Sequence, residues 1–247
     1  MRKIAAIAAM AGSIMASTAG AQVNVVMDNS VGSMDSAWLG YANFFEIPFD
    51  LGIFVFGSAW GLDRLTANFD DQTNTVTFGP LGIDDPNEFW FMDTIGGAPD
   101  PMNPGGPGQD GNKDCETSLY QEVTDTYGGQ TVTFSGEVLS NDLDSGWSAV
   151  AFVRDFAPDY SSFNDVEVPL TTGPFSVQIA ADPSPGRHVQ WGLRMVGPNV
   201  WPSDVPSKGA VTVATIGDPP VEPCVGDIAD DFGTLGGDGQ VSFGDFL

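Results

Sequence analysis

The sequence predicts an all-β sandwich, and three observations support this prediction. Short runs rich in Val, Phe, Trp, Thr and Ile alternate with Gly, Asp, Asn and Pro along most of the chain. The spacing of these runs is typical of a fold built from two packed sheets. No window shows a sustained helical period. The chain of 247 residues is long enough for one large β domain with appendages.

The N-terminal segment predicts export from the cell. A basic start (MRK) precedes an apolar stretch over residues 4–16 and a small-x-small pattern (AGA) at residues 19–21. This arrangement predicts a secretory signal peptide over residues 1–21, with Gln22 as the first mature residue. A membrane anchor is the alternative, but the apolar stretch is shorter than the roughly 20 residues that a span needs. Later apolar runs are all interrupted, so we expect no membrane span and a location outside the cell or on its surface.

The charge balance excludes one class of partner. The sequence has 33 Asp and Glu residues against 8 Lys and Arg residues, which gives a net charge of −25. The predicted leader contains two of the basic residues, so the mature chain is more acidic still. Non-specific binding to nucleic acid needs Lys and Arg to displace counterions, so we expect no nucleic-acid partner. The acidity favours solubility and attracts cations.

The body of the chain, residues 22–217, contains the predicted strands. Residues 96–112 (GGAPDPMNPGGPGQDGN) are dense in Gly and Pro and predict a long loop. Residues 218–223 (DPPVEP) predict an extended linker between this body and a tail over residues 224–247. The candidate strands are residues 23–27, 52–58, 65–69, 75–78, 88–93, 116–123, 130–139, 148–156, 175–181, 189–196 and 210–216.

Two of these strands carry clear information about their faces. In residues 131–138 (TVTFSGEV) and 188–195 (HVQWGLRM), apolar and polar side chains alternate, so each strand has one apolar and one polar face. Trp191 is in phase with the apolar side chains and is expected in the core. Glu137 lies mid-strand on the polar face, and an ion pair with Arg194 or Arg154 is the simplest account of it. If the strands share a sheet, the outer face of that sheet would gather Thr133, Ser135, Glu137, Gln190, Arg194 and Arg154.

The segment over residues 115–196 resembles the galactose-binding-like jelly-roll sandwiches that serve as carbohydrate-binding modules. The resemblance lies in the motifs LYQ, GQTVTFSG, AVAFVRDF and HVQWG, which follow one another in that order. It covers about a third of the chain and implies a jelly-roll sandwich with a glycan as ligand. Many such modules also hold a structural Ca²⁺.

A calcium site is one interpretation of the stretch QDGNKD at residues 109–114. Asp110, Asn112 and Asp114 stand at alternating positions there, a spacing that projects oxygen ligands toward one cation. The alternative is an acidic, Gly-rich turn that holds no metal.

Sugar binding needs aromatic rings that stack on pyranose faces and polar groups that bond the hydroxyls. Three aromatic residues follow turns or lie in loops and are the best candidates for exposure. The candidate ligand-binding residues are Trp147, Tyr160 and Trp201, together with the polar Glu137, Gln190 and Arg194.

The tail, CVGDIADDFGTLGGDGQVSFGDFL, is similar to the first half of a dockerin-type calcium segment. Gly239 takes the place of the Gly that makes the sharp turn of such a loop, whereas Thr234 and Gly236 stand where Asp or Asn belongs. We therefore expect weak calcium binding and a natural protein that continues past Leu247. The resemblance implies four metal-ligating residues, Asp238, Gln240, Ser242 and Asp245.

The two cysteines, Cys115 and Cys224, leave two alternatives open. In an exported protein they could pair with each other. Cys224 could instead pair with a residue beyond the end of this chain, since it opens the tail.

No catalytic motif stands out, so we predict that the protein is not an enzyme. His188 is the only histidine, and no GxSxG context accompanies it. A glycosidase needs two carboxyl groups at a set separation, which a sequence does not measure. We predict a secreted binding module that recognises carbohydrate or another extracellular partner. A polysaccharide-acting hydrolase is the alternative, and a structural protein of the cell surface or matrix is the second alternative.

Overall fold

The computed structural model describes residues 21–26, 38–91, 105–109 and 111–215. Twelve strands within these ranges form two six-stranded sheets, and one hydrophobic core draws side chains from both. The all-β, two-sheet prediction is therefore confirmed. The predicted leader before Ala21, the linker and the calcium-type tail lie outside the described residues.

The first sheet has the order β1-β7-β12-β5-β4, and β10 also pairs with β7. Strand β1 is parallel to β7 and the other pairings are antiparallel. Both β1 and β12 lie along β7, next to successive parts of it. The strands of this sheet are β1 (Gln22–Val26), β4 (Ala67–Asp70), β5 (Thr75–Phe78), β7 (Thr131–Asn141), β10 (Gly173–Ala180) and β12 (Val211–Ala214).

The second sheet is antiparallel throughout and has the order β3-β2-β6-β11-β8-β9. Its three central strands are long, so they provide a wide surface on each side. The strands of this sheet are β2 (Leu39–Glu46), β3 (Phe54–Ala59), β6 (Lys113–Thr124), β8 (Ser148–Phe156), β9 (Phe163–Pro169) and β11 (His188–Pro198).

Alternation along the strands places the core between the two sheets. On β11, Trp191 is buried together with Val189, Leu193 and Met195, as their common phase predicts. On β7, Val132 and other apolar side chains of the same strand face the same core. Removal of this apolar surface from water is the main force that holds the sheets together.

One predicted strand is absent, and two observed strands were not predicted. Residues 88–93 form turns as far as they are described, because Trp90 packs into the core against Phe44, with ring centroids 4.8 Å apart. The aromatic residues there close the end of the core instead of joining a sheet. Strands β2 (LGYANFFE) and β9 (FNDVEVP) were missed, because their Gly, Asn and Asp residues are typical of turns in isolated sequence.

Strands, not helices, make up most of the described chain. No helix within the described ranges is long and apolar enough to cross a bilayer. The helices there are short 3-10 turns at Phe49–Leu51, Leu62–Arg64 and Val205–Lys208.

Cys115 lies on β6 as a buried free thiol. Burial raises the pKa of this thiol well above its ordinary value. Its Sγ atom is 3.8 Å from the carbonyl oxygen of Lys113. Cys224 lies outside the described residues.

An ion pair is buried at one end of the second sheet. Lys113 is fully buried, and its Nζ lies 2.9 Å from Oε2 of Glu46 on the neighbouring strand β2. The same Nζ donates a hydrogen bond to the carbonyl oxygen of Asn112, at 3.1 Å. Because both charges are removed from water, each needs the opposite charge of the other to offset the free-energy cost of desolvation.

We predict that Lys113→Met lowers the free energy of unfolding by about 3–5 kcal/mol, because it removes the cation beside a buried carboxylate. The double variant Lys113→Met/Glu46→Leu should recover most of this loss, since no buried charge then lacks its counterpart. The measurement is urea-induced unfolding of the full chain. Arg64→Met, at an exposed site, is the control and should change stability by no more than about 0.5 kcal/mol. A Lys113→Met variant as stable as the wild type would contradict this role of the ion pair.

Candidate functional site

The candidate site is a groove of about 600 Å³ on the face of the second sheet that points away from the core. Alternate residues of β2, β6, β11, β8 and β9 project into it, since successive side chains of a strand point to opposite faces. At the usual strand spacing, these five strands span about 19 Å. We call this surface the groove; its main residues are Tyr41, Glu116, Arg154, Tyr160, Asp165 and Arg194.

A chain of ion pairs crosses the middle of the groove. Arg194 on β11 donates from Nη1 to Oε2 of Glu116 on β6, at 2.8 Å. Its Nη2 donates to Oε2 of Glu167 on β9, at 2.5 Å, and so reaches across β8. Arg154 on β8 donates to Oε1 of Glu167 at 3.4 Å and to Oδ2 of Asp165 at 3.1 Å. Two guanidinium groups therefore connect four strands.

A second hydrogen-bonded cluster surrounds Glu122 at one end of the groove. Its Oε1 accepts the phenol proton of Tyr160 at 2.9 Å, and its Oε2 accepts from Nε2 of Gln190 at 2.6 Å. The imidazole of His188 stacks on the Tyr160 ring, with centroids 4.2 Å apart and planes 14° apart. These contacts hold the Tyr160 ring in one position.

The backbone of Tyr160 is itself unusual. Its φ of 58° lies in the left-handed region, which is uncommon for a bulky residue. Such conformations persist where surrounding contacts enforce them, and they are frequent at ligand-binding positions. The conformation brings the ring of Tyr160 to the groove from the loop between β8 and β9.

Exposed aromatic rings lie at both sides of the groove. Tyr41 on β2 is 37% exposed, and on the opposite side Tyr160 is 47% and Phe163 is 52% exposed. Phe163 contacts Phe156 with ring centroids 5.0 Å apart, which limits its motion. Rings in such positions can stack on flat, partly apolar ligands.

The floor of the groove depends on a glycine. A Cβ on Gly192 of β11 would lie 2.1 Å from the carbonyl oxygen of Leu119 and 2.7 Å from Cα of Tyr120, on the neighbouring strand. On the other side, Phe152 is fully buried beneath Arg154, whose guanidinium carbon lies 4.4 Å from the ring centroid. The floor is therefore flat at Gly192 and apolar below the arginine.

Two polar atoms at the groove have unused hydrogen-bonding capacity. Nε of Arg194 and Oδ1 of Asp165 are buried and have no hydrogen-bond partner among the described residues. Buried polar groups of this kind are rare unless a water or a ligand completes them. One is a donor and the other an acceptor, which is what a hydroxyl group can satisfy.

The protonation states suit hydrogen bonding by neutral phenols. Burial, followed by the hydrogen bond to Glu122, raises the pKa of Tyr160 to about 12. Burial and the negative charge of Glu122 raise the pKa of Tyr120 to about 12 as well. Burial also raises the pKa of Glu167, against the opposing effect of Arg194. The two phenols therefore keep their protons at neutral pH.

The structure brings three of the six predicted ligand-binding residues together. Gln190, Arg194 and Tyr160 all line the groove. Trp147 lines a separate cavity at one end of the molecule. Trp201 is partly buried beside Phe91, with ring centroids 5.6 Å apart.

Glu137 does not belong to the groove. It lies exposed on β7 in the first sheet, and Thr133 and Ser135 belong to that same strand, so the expected common face with Gln190 and Arg194 is wrong. The predicted ion pair of Glu137 with Arg194 or Arg154 is also wrong. Both arginines bond to carboxylates of their own sheet, because β7 and β11 belong to different layers of the sandwich.

The predicted calcium sites stay predictions. Asp110 lies outside the described residues, as do all four ligands proposed in the tail. Asn112 precedes β6 and donates from Nδ2 to the carbonyl oxygen of Phe89 at 3.4 Å, while Asp114 is a buried residue of β6. In the described ranges, no group of three or more His, Cys, Asp or Glu side chains is placed to hold a metal ion.

Sequence reasoning missed several groove residues, although one signal could have revealed some of them. In CETSLYQE, Glu116, Ser118, Tyr120 and Glu122 alternate with Cys115, Thr117 and Leu119, which is the pattern already used for β7 and β11. Tyr41, Asn43, Asp165 and Glu167 had no such signal, since their strands were not predicted.

Comparison with known proteins assigns this chain to no family. No protein-family profile, curated protein or solved structure matches it. The two-sheet sandwich rests on the structure, whereas the resemblances to jelly-roll modules and to dockerin segments stay predictions.

We predict that two of the four tyrosines titrate near pH 12, above the ordinary value of about 10. Glu122→Gln should lower both of these pKa values, because the negative charge that opposes phenolate formation is lost. The native state should also lose stability as the pH rises from about 10 to about 12, since the unfolded phenols ionise first. The measurement is phenolate absorbance against pH, with Tyr160→Phe to identify one transition. Identical titration curves for Glu122→Gln and the wild type would contradict the described cluster.

Proposed function

We propose that the protein is a non-catalytic binding module that holds a carbohydrate chain in the groove. One observation carries this proposal. Half-buried charged and polar side chains cross the second sheet in the groove, and exposed aromatic rings lie on both sides of them. The predicted leader implies secretion, and a secreted module would encounter glycans outside the cell.

The chemistry of the groove suits sugars. A pyranose has weakly apolar faces, which can stack on Tyr41, Tyr160 or Phe163. Its hydroxyl groups both donate and accept hydrogen bonds, and the groove offers both kinds of partner. Nε of Arg194 is a free donor and Oδ1 of Asp165 a free acceptor within the described part of the chain.

The charge of the groove favours a neutral glycan. Its four carboxylates outnumber its two guanidinium groups, and the chain as a whole is strongly acidic. A sulfated or carboxylated polymer would meet net repulsion there. The charged groups of the groove are those of Glu116, Glu122, Asp165, Glu167, Arg154 and Arg194.

The groove is also organised before any ligand arrives. The guanidinium of Arg194 is fixed by two carboxylates, and Tyr160 is fixed by Glu122 and His188. Side chains that are already ordered lose little entropy on binding. This order supports binding of an extended ligand that makes many weak contacts.

The test is binding of the full chain to a panel of neutral polysaccharides, followed by calorimetry with the best ligand. We expect Tyr41→Ala and Tyr160→Ala each to weaken binding about tenfold, as expected when one stacked aromatic ring is lost. Phe54→Ala is the matched control, since Phe54 is an exposed aromatic residue on β3 that does not line the groove. Absence of binding across the panel, or an equal loss in Phe54→Ala, would overturn the proposal.

Hydrolysis is the second candidate function, and one observation favours it. Glu116 and Glu167 are both bonded to Arg194, and burial raises the pKa of Glu167, as a general acid requires. The positive charge of Arg194 opposes this rise, and its hydrogen bonds already occupy one oxygen of each carboxylate. This second effect leads us to prefer binding.

We predict that the full chain releases no reducing ends from any polysaccharide that it binds. The measurement is a reducing-end assay over long incubation, with Glu167→Gln and Glu116→Gln as comparison variants. Turnover that is present in the wild type and lost in both variants would replace the binding function with hydrolysis.

A further inference from the structure

A second cavity, of about 450 Å³, lies at the end of the second sheet. It adjoins Pro198, the last residue of β11, about 13 Å along that strand from Arg194. We call it the end cavity; the residues used below are Trp147, Asn199, Asp204 and Lys208. None of these residues lines the groove.

Lys208 provides the end cavity with a positive charge. Most basic side chains of the described ranges lie within 4.0 Å of a carboxylate, but Lys208 has no such partner among the described residues. Its Nζ lies 5.6 Å from the centroid of the Trp147 indole. In so acidic a chain, a half-buried ammonium without a described counter-ion is unusual.

Asn199 adds a hydrogen-bond donor. The residue is 1% exposed, and its Oδ1 accepts the backbone N–H of Lys113 at 3.1 Å. Its Nδ2 is buried and has no hydrogen-bond partner within the described ranges. A buried amide nitrogen normally donates to an acceptor. The acceptor for Nδ2 of Asn199 must therefore come from outside the described residues.

The walls of the end cavity are held in place by backbone hydrogen bonds. Asp144 N–H donates to the carbonyl oxygen of Lys208, and Trp147 N–H donates to that of Asp144, both at 3.0 Å. The indole Nε1 of Trp147 donates to the carbonyl oxygen of Pro198 at 3.2 Å. Asp204 is the acidic residue that lines the cavity, and its Oδ2 accepts Gly108 N–H at 2.5 Å.

We propose that the end cavity is a binding site for a carboxylated sugar, a hexuronate residue. The carboxylate pairs with the ammonium of Lys208 and accepts from Nδ2 of Asn199, while the sugar ring lies against Trp147. Asp204 offers an acceptor to a ring hydroxyl, and its charge disfavours ligands with several negative groups. The volume lies within the range of small-molecule sites.

This inference does not depend on the groove. The groove combines paired charges with a net negative balance and suits neutral chains, whereas the end cavity has one ammonium and one unused amide donor against the single carboxylate of Asp204. The two sites therefore select sugars of opposite character, and each can fail its test without the other.

The test is NMR titration of the full chain with methyl glucuronoside, followed through the indole N–H signal of Trp147, which Trp147→Phe identifies. We expect a saturable shift, and binding about tenfold to a hundredfold weaker for the neutral methyl glucoside and for Lys208→Gln. Lys208→Arg should retain binding, because it keeps the charge. Tyr41→Ala, in the groove, should leave it unchanged.

Arg64→Gln is the matched control, since it removes the same charge at an exposed site that lines neither the groove nor the end cavity. Three results would each overturn the proposal: no shift of the Trp147 signal, equal binding of glucoside and glucuronoside, or an equal loss in Arg64→Gln and Lys208→Gln. Acetate that binds as tightly as the glucuronoside would also overturn it, because the sugar ring would then contribute nothing.

Discussion

The bridge that Arg194 makes between Glu116 and Glu167 is the interaction on which the second sheet depends. A sheet with a hydrophobic core on one side can keep charged groups half-buried on the other only if each charge has a partner. Arg194 supplies this partner for carboxylates on β6 and on β9, on either side of its own strand. Without it, Glu116 would lose this cation and Glu167 would depend on Arg154 alone.

Charge pairing also distinguishes the two cavities. In the groove, arginines and carboxylates satisfy one another, and the unused capacity is limited to single atoms such as Nε of Arg194. In the end cavity, Lys208 has no carboxylate partner in the described chain, and the amide of Asn199 has an unused donor. A strongly acidic protein thus has one surface on which carboxylates outnumber cations, and one cavity in which the ammonium of Lys208 stands against a single carboxylate, that of Asp204. Overall net charge would have predicted neither.

Periodicity made much of the fold predictable, but it did not reveal how the strands are arranged. Alternation along β7 and β11 correctly separated core from surface, and it placed Trp191 inside. It could not show that these strands lie in different sheets, so Glu137 was assigned to the wrong face. Gln190 and Arg194 were predictable, because they lie on one strand with a clear polar side. Asp165 and Glu167 were not predictable, because the Asn and Asp residues of β9 are typical of a turn. Only its hydrogen bonds to β8 show that this segment is a strand.

The direction of the ion-pair chain has a mechanical consequence. It runs obliquely across the strands, because Glu116 lies opposite Val196 of β11 whereas Arg154 lies opposite Gln190 of the same strand. Lateral tension that would peel β9 and β8 from β11 is therefore opposed twice, by the backbone ladder and by the guanidinium bridges. The edge strand β9 is thus held to β11 by a side-chain bridge that passes over the strand between them.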